Sequence, residues 1–338
     1  MNDISQGDVR LVELSRWLKE IVGFESFDIA PASGDASFRR YFRVVHNGDT
    51  YIVMDAPPSH ENCRPFVAIA WAFGDLSLHV PQILKQDLVR GFLLLSDLGS
   101  KQYLSELNAE SAERLYTDAI HTLIRLQAGS HQGIGLPPYD HALLLREMGL
   151  FRDWFIAQHL GLALDATQLQ ALEDAFQLLA LAALEQPRVW VHRDYHSRNL
   201  MVTSQNNPGV LDFQDAVVGP MTYDLVSLLR DCYIKWPPSQ VEEWVKYYLA
   251  NAKQQGLLGG IELKQFMRWF DLMGVQRHLK AIGIFARLNI RDAKPGYLQD
   301  IPRTMSYVVE ACGRWPEMAG LQRLLADEVL PAMAVRER

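Results

Sequence analysis

The order of apolar and polar positions divides the chain into a short sheet-forming part and a long helical part. Val9, Leu11, Val12, Leu14, Leu18 and Ile21 recur at helical spacing and predict a helix over 8–22. The pattern then alternates. DASFRRYFRVVHNGDTYIVMDAPP reads as two strands joined at an Asn47-Gly48-Asp49 turn, because asparagine and glycine accept the left-handed backbone of a tight hairpin. A helix is predicted over 63–76, and VPQILKQD with GFLLLSDLG forms a second hairpin. From residue 99 helical periodicity prevails, over 109–128, 140–160 and 165–185, the last opened by an Asp165 cap. Short strands at 188–191, 199–203 and 209–213 interrupt it. Helices resume over 221–234, 239–255, 262–288, 300–313 and 317–328. The expectation is an α+β chain of two lobes: a small antiparallel-sheet N-lobe, 1–98, and a mainly helical C-lobe, 99–338, linked at 96–99.

Length supports the division, since 338 residues exceed what one core comfortably organises. Hydrophobic residues at 49% and charged residues at 22% are an ordinary globular balance. The net charge of −7 argues against a general nucleic-acid partner. The longest apolar run, FQLLALAALE, is too short to span a bilayer, and MNDISQGDVRLVELSRW lacks the apolar stretch of a signal peptide. Cys63, Cys232 and Cys312 stand far apart, with neither a disulfide framework nor zinc-ligand spacing. Together these features predict a cytoplasmic protein with reduced thiols and no membrane or nucleic-acid partner. Its oligomeric state stays open.

One stretch breaks the apolar patterning. VWVHRDYHSRNLMV, residues 189–202, sets two histidines, an aspartate, two arginines and an asparagine between apolar runs. Within it lies His192-x-Asp194-x-x-x-x-Asn199, and GVLDFQD follows at 209–215. If 199–203 and 209–213 form a hairpin, Asn199 and Asp212 stand close together as hard oxygen donors. Mg²⁺ takes such ligands and leaves its other positions to water and phosphates. Asp194 then meets a substrate hydroxyl approaching the terminal phosphate. This is the logic of the kinase loop H-R-D-x-x-x-x-N followed by D-F-x, with His192 a structural member of the loop. A plain polar loop around an ordinary buried histidine is the bland alternative. A metal hydrolase using His192 and His196 requires a helix where the pattern shows a strand.

These motifs resemble the aminoglycoside phosphotransferase and choline kinase superfamily, with VHRDYHSRNLMV, GVLDFQDAVVGPMTYDLVSLLRD and LLLSDLG accounting for the likeness. The resemblance covers most of the chain. It implies a bilobal protein-kinase-like fold, ATP and Mg²⁺ as cofactors, and Asp224 as the buried aspartate that supports the catalytic loop. A carboxylate facing the helix dipole explains Asp224 equally well. GDASFRRYFRV, MDAPP, FLLLSDLG, QRHLKAIGIFARL and RDAKPGYLQDIPR resemble a narrower family, the bacterial anomeric sugar kinases. Those phosphorylate N-acetylmuramate and N-acetylglucosamine at the anomeric hydroxyl in peptidoglycan recycling, which implies a small amino-sugar acceptor.

The nucleotide side departs from the kinase pattern. Gly34 and Ser37 open the first hairpin, where a tight turn aims backbone N–H groups at phosphates, but a single glycine fits an ordinary turn as well. No lysine stands near TYIVMDAPP, and Met54 holds the position where the family has one. Arg39, Arg40 and Arg43 are the candidate substitutes. Arg39 and Arg43 share a strand face and Arg40 lies on the other, whether toward phosphates or toward solvent. The resemblance sets adenine against Ser96, Asp97 and Leu98. On the acceptor side, Arg277, Lys280 and Arg287 fall near one face of the 262–288 helix. They form either a solvated stripe or a site for an acidic substituent such as a lactyl carboxylate. Trp236, Trp269 and Tyr297 suit a sugar ring or the core.

The reading is therefore an ATP-dependent amino-sugar kinase. Its rivals are a kinase of another small alcohol, such as an amino alcohol, homoserine or an aminoglycoside, and an inactive nucleotide-binding pseudokinase. The acceptor-side cations count against a cationic antibiotic. The missing lysine favours the pseudokinase, and the intact Asp194, Asn199 and Asp212 oppose it.

Overall fold

The computed structural model describes residues 8–33, 38–131 and 134–336. Gly34 and Ser37 lie outside them. The chain divides into two compact units. The first runs to Ser100 and takes in Thr203–Gln214; the second comprises Lys101–Val202 and the chain from Asp215 onward.

The first unit is built on a five-stranded antiparallel sheet: β1 (Asp28–Ser33), β2 (Arg40–His46), β3 (Asp49–Asp55), β4 (Ile83–Asp87) and β5 (Phe92–Ser96), ordered β1-β2-β3-β5-β4. β2 and β3 pair from His46 opposite Asp49, so the loop is the two residues Asn47 and Gly48, at φ 51° and 89°. Those angles are what a two-residue hairpin turn needs to match strand twist. β1 is an edge strand that the apolar pattern does not announce. Helix α1 (Val9–Trp17) begins at Asp8, whose side chain accepts from Leu11 N. It buries Leu11, Leu14 and Trp17 against Phe42, Val44, Val53, Phe92 and Leu94. Met54, in register with Tyr41 and Leu93, is wholly buried in the sheet. Helix α2 (Cys63–Asp75) presents Phe66 and Phe73 to Phe213, with ring centroids 4.9 and 5.7 Å apart.

The second unit is mostly helical: α3 (Tyr103–Glu106), α4 (Ala112–Ala128), α5 (His141–Leu150), α6 (Ala166–Leu184), α7 (Tyr223–Leu229), α8 (Pro238–Gln254), α9 (Leu263–Asp292) and α10 (Ile301–Arg314). α5 continues in wider turns to Leu160 and stops at Gly161, φ 70°. Asp165 caps α6 in a reciprocal box with Gln168: each side chain accepts from the other's backbone N–H, at 2.8 and 2.9 Å. α9 runs for 30 residues and is buried without a break from Trp269 to Leu279. A Cβ on Gly283 would lie 2.4 Å from the carbonyl carbon of Leu150, so α9 meets α5 backbone to backbone. β6 (Arg188–Val191) is the strand expected before the polar stretch. The strands expected at 199–203 and 209–213 contract to β7 (Leu200–Met201) in this unit and β8 (Gly209–Val210) in the first. β6 pairs antiparallel with an unanticipated strand, β9 (Val217–Pro220). No helix among the described residues is long and apolar enough to cross a membrane.

Candidate active site

β6 delivers the chain at Val191 into the loop 192–199, and many polar backbone groups of that loop have partners. Asp224, in the first turn of α7 and fully buried, accepts from His192 N at 2.6 Å and Arg193 N at 3.0 Å. Asp231, just past the end of α7, accepts from Ser197 N at 2.9 Å and Tyr233 N at 3.0 Å. One short helix and its exit thus grip the loop at two points. The loop carbonyls are held as well: Leu104 N donates to Ser197 O at 3.1 Å, and the Gln102 side chain to Arg198 O at 2.9 Å. Tyr195 reaches down to Ala119 O of α4 at 2.9 Å. His192 is buried, and its Nδ1 accepts from Asp194 N at 3.2 Å. Asn199 donates its amide N–H to Asp194 O at 3.0 Å. Arg193 takes a left-handed φ of 78°, which costs a residue with a Cβ about 1 kcal/mol or more. Asp224, by accepting from the amides of His192 and of Arg193 itself, holds the backbone that leads into this conformation.

The field around Asp194 is positive. Burial works to raise its pKa, but Lys280, His196, His192 and Arg193 outweigh it and hold the carboxyl below its ordinary value. Burial drives His196 the other way, toward the neutral imidazole. Arg277 and Lys280 are not a solvated stripe: Arg277 is buried, and the Lys280 side chain is only 12% exposed. Lys280 donates to Tyr223 Oη at 3.0 Å and pairs with Glu147 at 3.1 Å. Glu147 also receives Arg193 and the Tyr139 hydroxyl. Arg277 reaches Cys232 Sγ at 3.6 Å and shares its surroundings with Asp231 and Asp194. Arg287, two turns beyond Lys280, is half-buried beside Arg291 and Asp292. Trp236 and Trp269 direct their indole N–H groups to Tyr116 and Glu185, at 2.8 and 2.7 Å. Tyr297 stacks on Phe285 at 5.6 Å. Asp231 and Glu147 escape a reading of the sequence. Asp231 had one available signal, a second acid seven residues after Asp224 on the same helical face.

In the first unit Asp212 also has a left-handed backbone, φ 62°, and its carboxylate accepts from the Gln214 amide at 2.6 Å. The three arginines all hold carboxylates. Arg40 joins Asp8 and the buried Asp55, which also receives Arg10. Arg43 donates to Asp97 at 2.6 and 3.0 Å and to Gly99 O at 2.8 Å. Burial raises the pKa of Asp97, but Arg43 and the Gly99 amide bring it below its ordinary value. Arg39 pairs with Glu61 at 2.9 Å. Ser96 exchanges hydrogen bonds with Gln82, each 2.9 Å, and Leu98 is half-buried. The amide oxygen of Asn199 and the carboxylate of Asp212 are hard donors of the kind Mg²⁺ prefers. Among the described residues, no group of three or more His, Cys, Asp or Glu side chains is gathered as a metal cluster.

Residues 28–258 match the phosphotransferase enzyme family. The N-acetylmuramate/N-acetylglucosamine kinase of Pseudomonas putida is 48% identical over 330 residues, 95% of this chain and 97% of that protein. The kinase of the same name from Neisseria meningitidis is 42% identical over 325 residues, 95% of this chain and 96% of that one. Choline kinase from Cryptosporidium parvum has the same fold, with a TM-score of 0.63 at 12% identity over 92% of this chain and 98% of its own. ADP-bound aminoglycoside phosphotransferase APH(2'')-Ib gives a TM-score of 0.58 at 16% identity, covering 88% and 98%. With a family match over most of its length and relatives this similar across nearly all of it, the chain belongs to the phosphotransferase enzyme family.

Proposed function

We propose that the chain is an ATP-dependent kinase of N-acetylated amino sugars that phosphorylates the anomeric hydroxyl of N-acetylmuramate and N-acetylglucosamine. The observation that carries this reading is the 192–199 loop, with an ionised Asp194 in a loop pinned by Asp224 and Asp231. Asp194 orients the acceptor hydroxyl and receives its proton as the hydroxyl oxygen bonds to the γ-phosphorus of ATP and the bond from that phosphorus to the departing ADP breaks. A carboxyl below its ordinary pKa is a weak base, and an anomeric hydroxyl, more acidic than an ordinary alcohol, suits it. Asn199 and Asp212 would hold Mg²⁺ in this scheme, and the ion would supply charge neutralisation at the phosphates. Arg39, paired with Glu61, stands in for the absent lysine as the phosphate contact. Nucleotide binding falls to the N-terminal lobe, with adenine at Ser96, Asp97 and Leu98, and acceptor binding to the helical lobe. Three buried, unbridged cysteines accord with a cytoplasmic enzyme, and the acceptors accord with peptidoglycan recycling.

Acceptor-dependent ADP release with both sugars, and with their 1-O-methyl glycosides, tests the reading. Turnover of the free sugars alone is expected, with phosphorus coupled to the anomeric proton in the product. Turnover of the methyl glycosides sinks the anomeric assignment, and an absence of turnover with either free sugar sinks the amino-sugar assignment.

A further inference from the structure

The 192–199 loop carries a cation that the phosphotransfer scheme does not use. Arg198 precedes Asn199, and its guanidinium lies 3.5 Å from the centroid of the Tyr233 ring and 5.9 Å from that of Tyr297. Among the described residues no carboxylate stands within ion-pair distance of it, whereas Lys280 is matched by Glu147 and Arg193 by the same carboxylate. Its backbone is pinned through Gln102, so the loop cannot easily carry the side chain away. A guanidinium held over an aromatic ring by cation–π attraction still has N–H groups to offer a planar anion. The ring beneath it is fixed in turn: Tyr233 meets His196 edge-on at 5.4 Å and packs toward Phe285, which stacks on Tyr297. Arg277 acts on the same two residues, His196 and Tyr233, and its buried Nε has no hydrogen-bond partner among the described residues.

We propose that Arg198, laid on Tyr233, binds the carboxylate of an acidic sugar acceptor and so favours N-acetylmuramate over N-acetylglucosamine. The two sugars differ by the lactyl ether that bears this carboxylate, and the fork of an arginine matches it with two parallel hydrogen bonds. Arg277 is the less suitable reader, since Asp231 and Asp194 already oppose its charge. The inference rests on the amino-sugar kinase reading above.

Steady-state kinetics of the full-length parent, Arg198→Gln and Arg198→Lys with each sugar provide the test. For Arg198→Gln, kcat/KM with N-acetylmuramate should fall about 10–100-fold, mostly through KM, the range expected for a charge-assisted pair. With N-acetylglucosamine it should change less than about threefold, which also reports an intact fold. Arg198→Lys should fall between, because an ammonium keeps the charge without the fork. The methyl ester of N-acetylmuramate should affect the parent as Arg198→Gln affects the acid. An equal loss of kcat with both sugars would overturn the proposal. Unchanged kinetics with both would overturn it too. A parent that turns over neither sugar fails before any variant is made, and then the underlying reading falls and takes this inference with it.

Discussion

Replacing Asp224 by asparagine separates two forces acting on one carboxylate. Burial, with some repulsion from Asp194, pushes its pKa from an ordinary 3.8 up to about 7, against the pull of the His192 and Arg193 amides. The folded state therefore keeps the proton longer than the unfolded chain does. Stability from this group is complete below pH 3.8 and declines as the pH rises to about 7. A shift of about 3 units corresponds to about 4 kcal/mol in all, at roughly 1.36 kcal/mol per unit. About two of those units fall between pH 5 and the folded pKa, or about 3 kcal/mol. Asparagine shares the neutrality of the protonated acid but offers one acceptor oxygen where the His192 and Arg193 amides now meet two, a cost that does not vary with pH. The difference in unfolding free energy should therefore move by about 3 kcal/mol in favour of Asp224→Asn between pH 5 and pH 8. Urea unfolding followed by tryptophan fluorescence at several pH values measures it. A difference that stays constant across that range would refute the reasoning and show that the two amides keep the carboxylate ionised throughout.

Asp194→Asn should retain Mg-ATP binding while kcat drops on the order of 10²–10⁴-fold; a near-normal kcat removes Asp194 from the mechanism. Asp212→Ala should abolish the enhancement of ATP binding by Mg²⁺ in calorimetry, and equal enhancement in variant and parent would exclude it as a ligand. Arg39→Ala should raise the KM for ATP with the unfolding midpoint unchanged, and normal ATP kinetics would move the phosphate contact elsewhere. Gly283→Ala places a methyl against the Leu150 backbone and should destabilise the protein by about 1–3 kcal/mol. A melting curve identical to the parent's would show that α5 and α9 separate without cost.

What could be read in advance was local. Asn47-Gly48 announces its turn because the backbone angles of two residues decide it, and Asp165 announces a cap because its partner Gln168 is three positions away. β1 gave no such sign: DIAPAS contains Pro31 and small residues, and an edge strand tolerates both. β9, VVGP, is short and ends in Gly-Pro. The spacing of Arg277 and Lys280 was visible, but their enclosure depends on Glu147 and Asp231, which arrive from other elements. The loop motif singled out Asp194 and Asn199 as candidates. The role of Asp231 depends on an amide 34 residues earlier, and no local pattern encodes that.

The return of Thr203–Gln214 to the first unit has a consequence for biosynthesis. The two units are interleaved along the chain, so neither corresponds to an uninterrupted stretch of message. A ribosome that has finished Ser100 must still make more than a hundred residues before Phe213 emerges to meet Phe66 and Phe73. At roughly 5–20 residues per second that interval is on the order of ten seconds, during which Phe213 is not yet there to cover those two rings. The nascent chain then has an exposed aromatic surface for chaperones to hold, and a stop codon anywhere before Phe213 leaves both units unfinished.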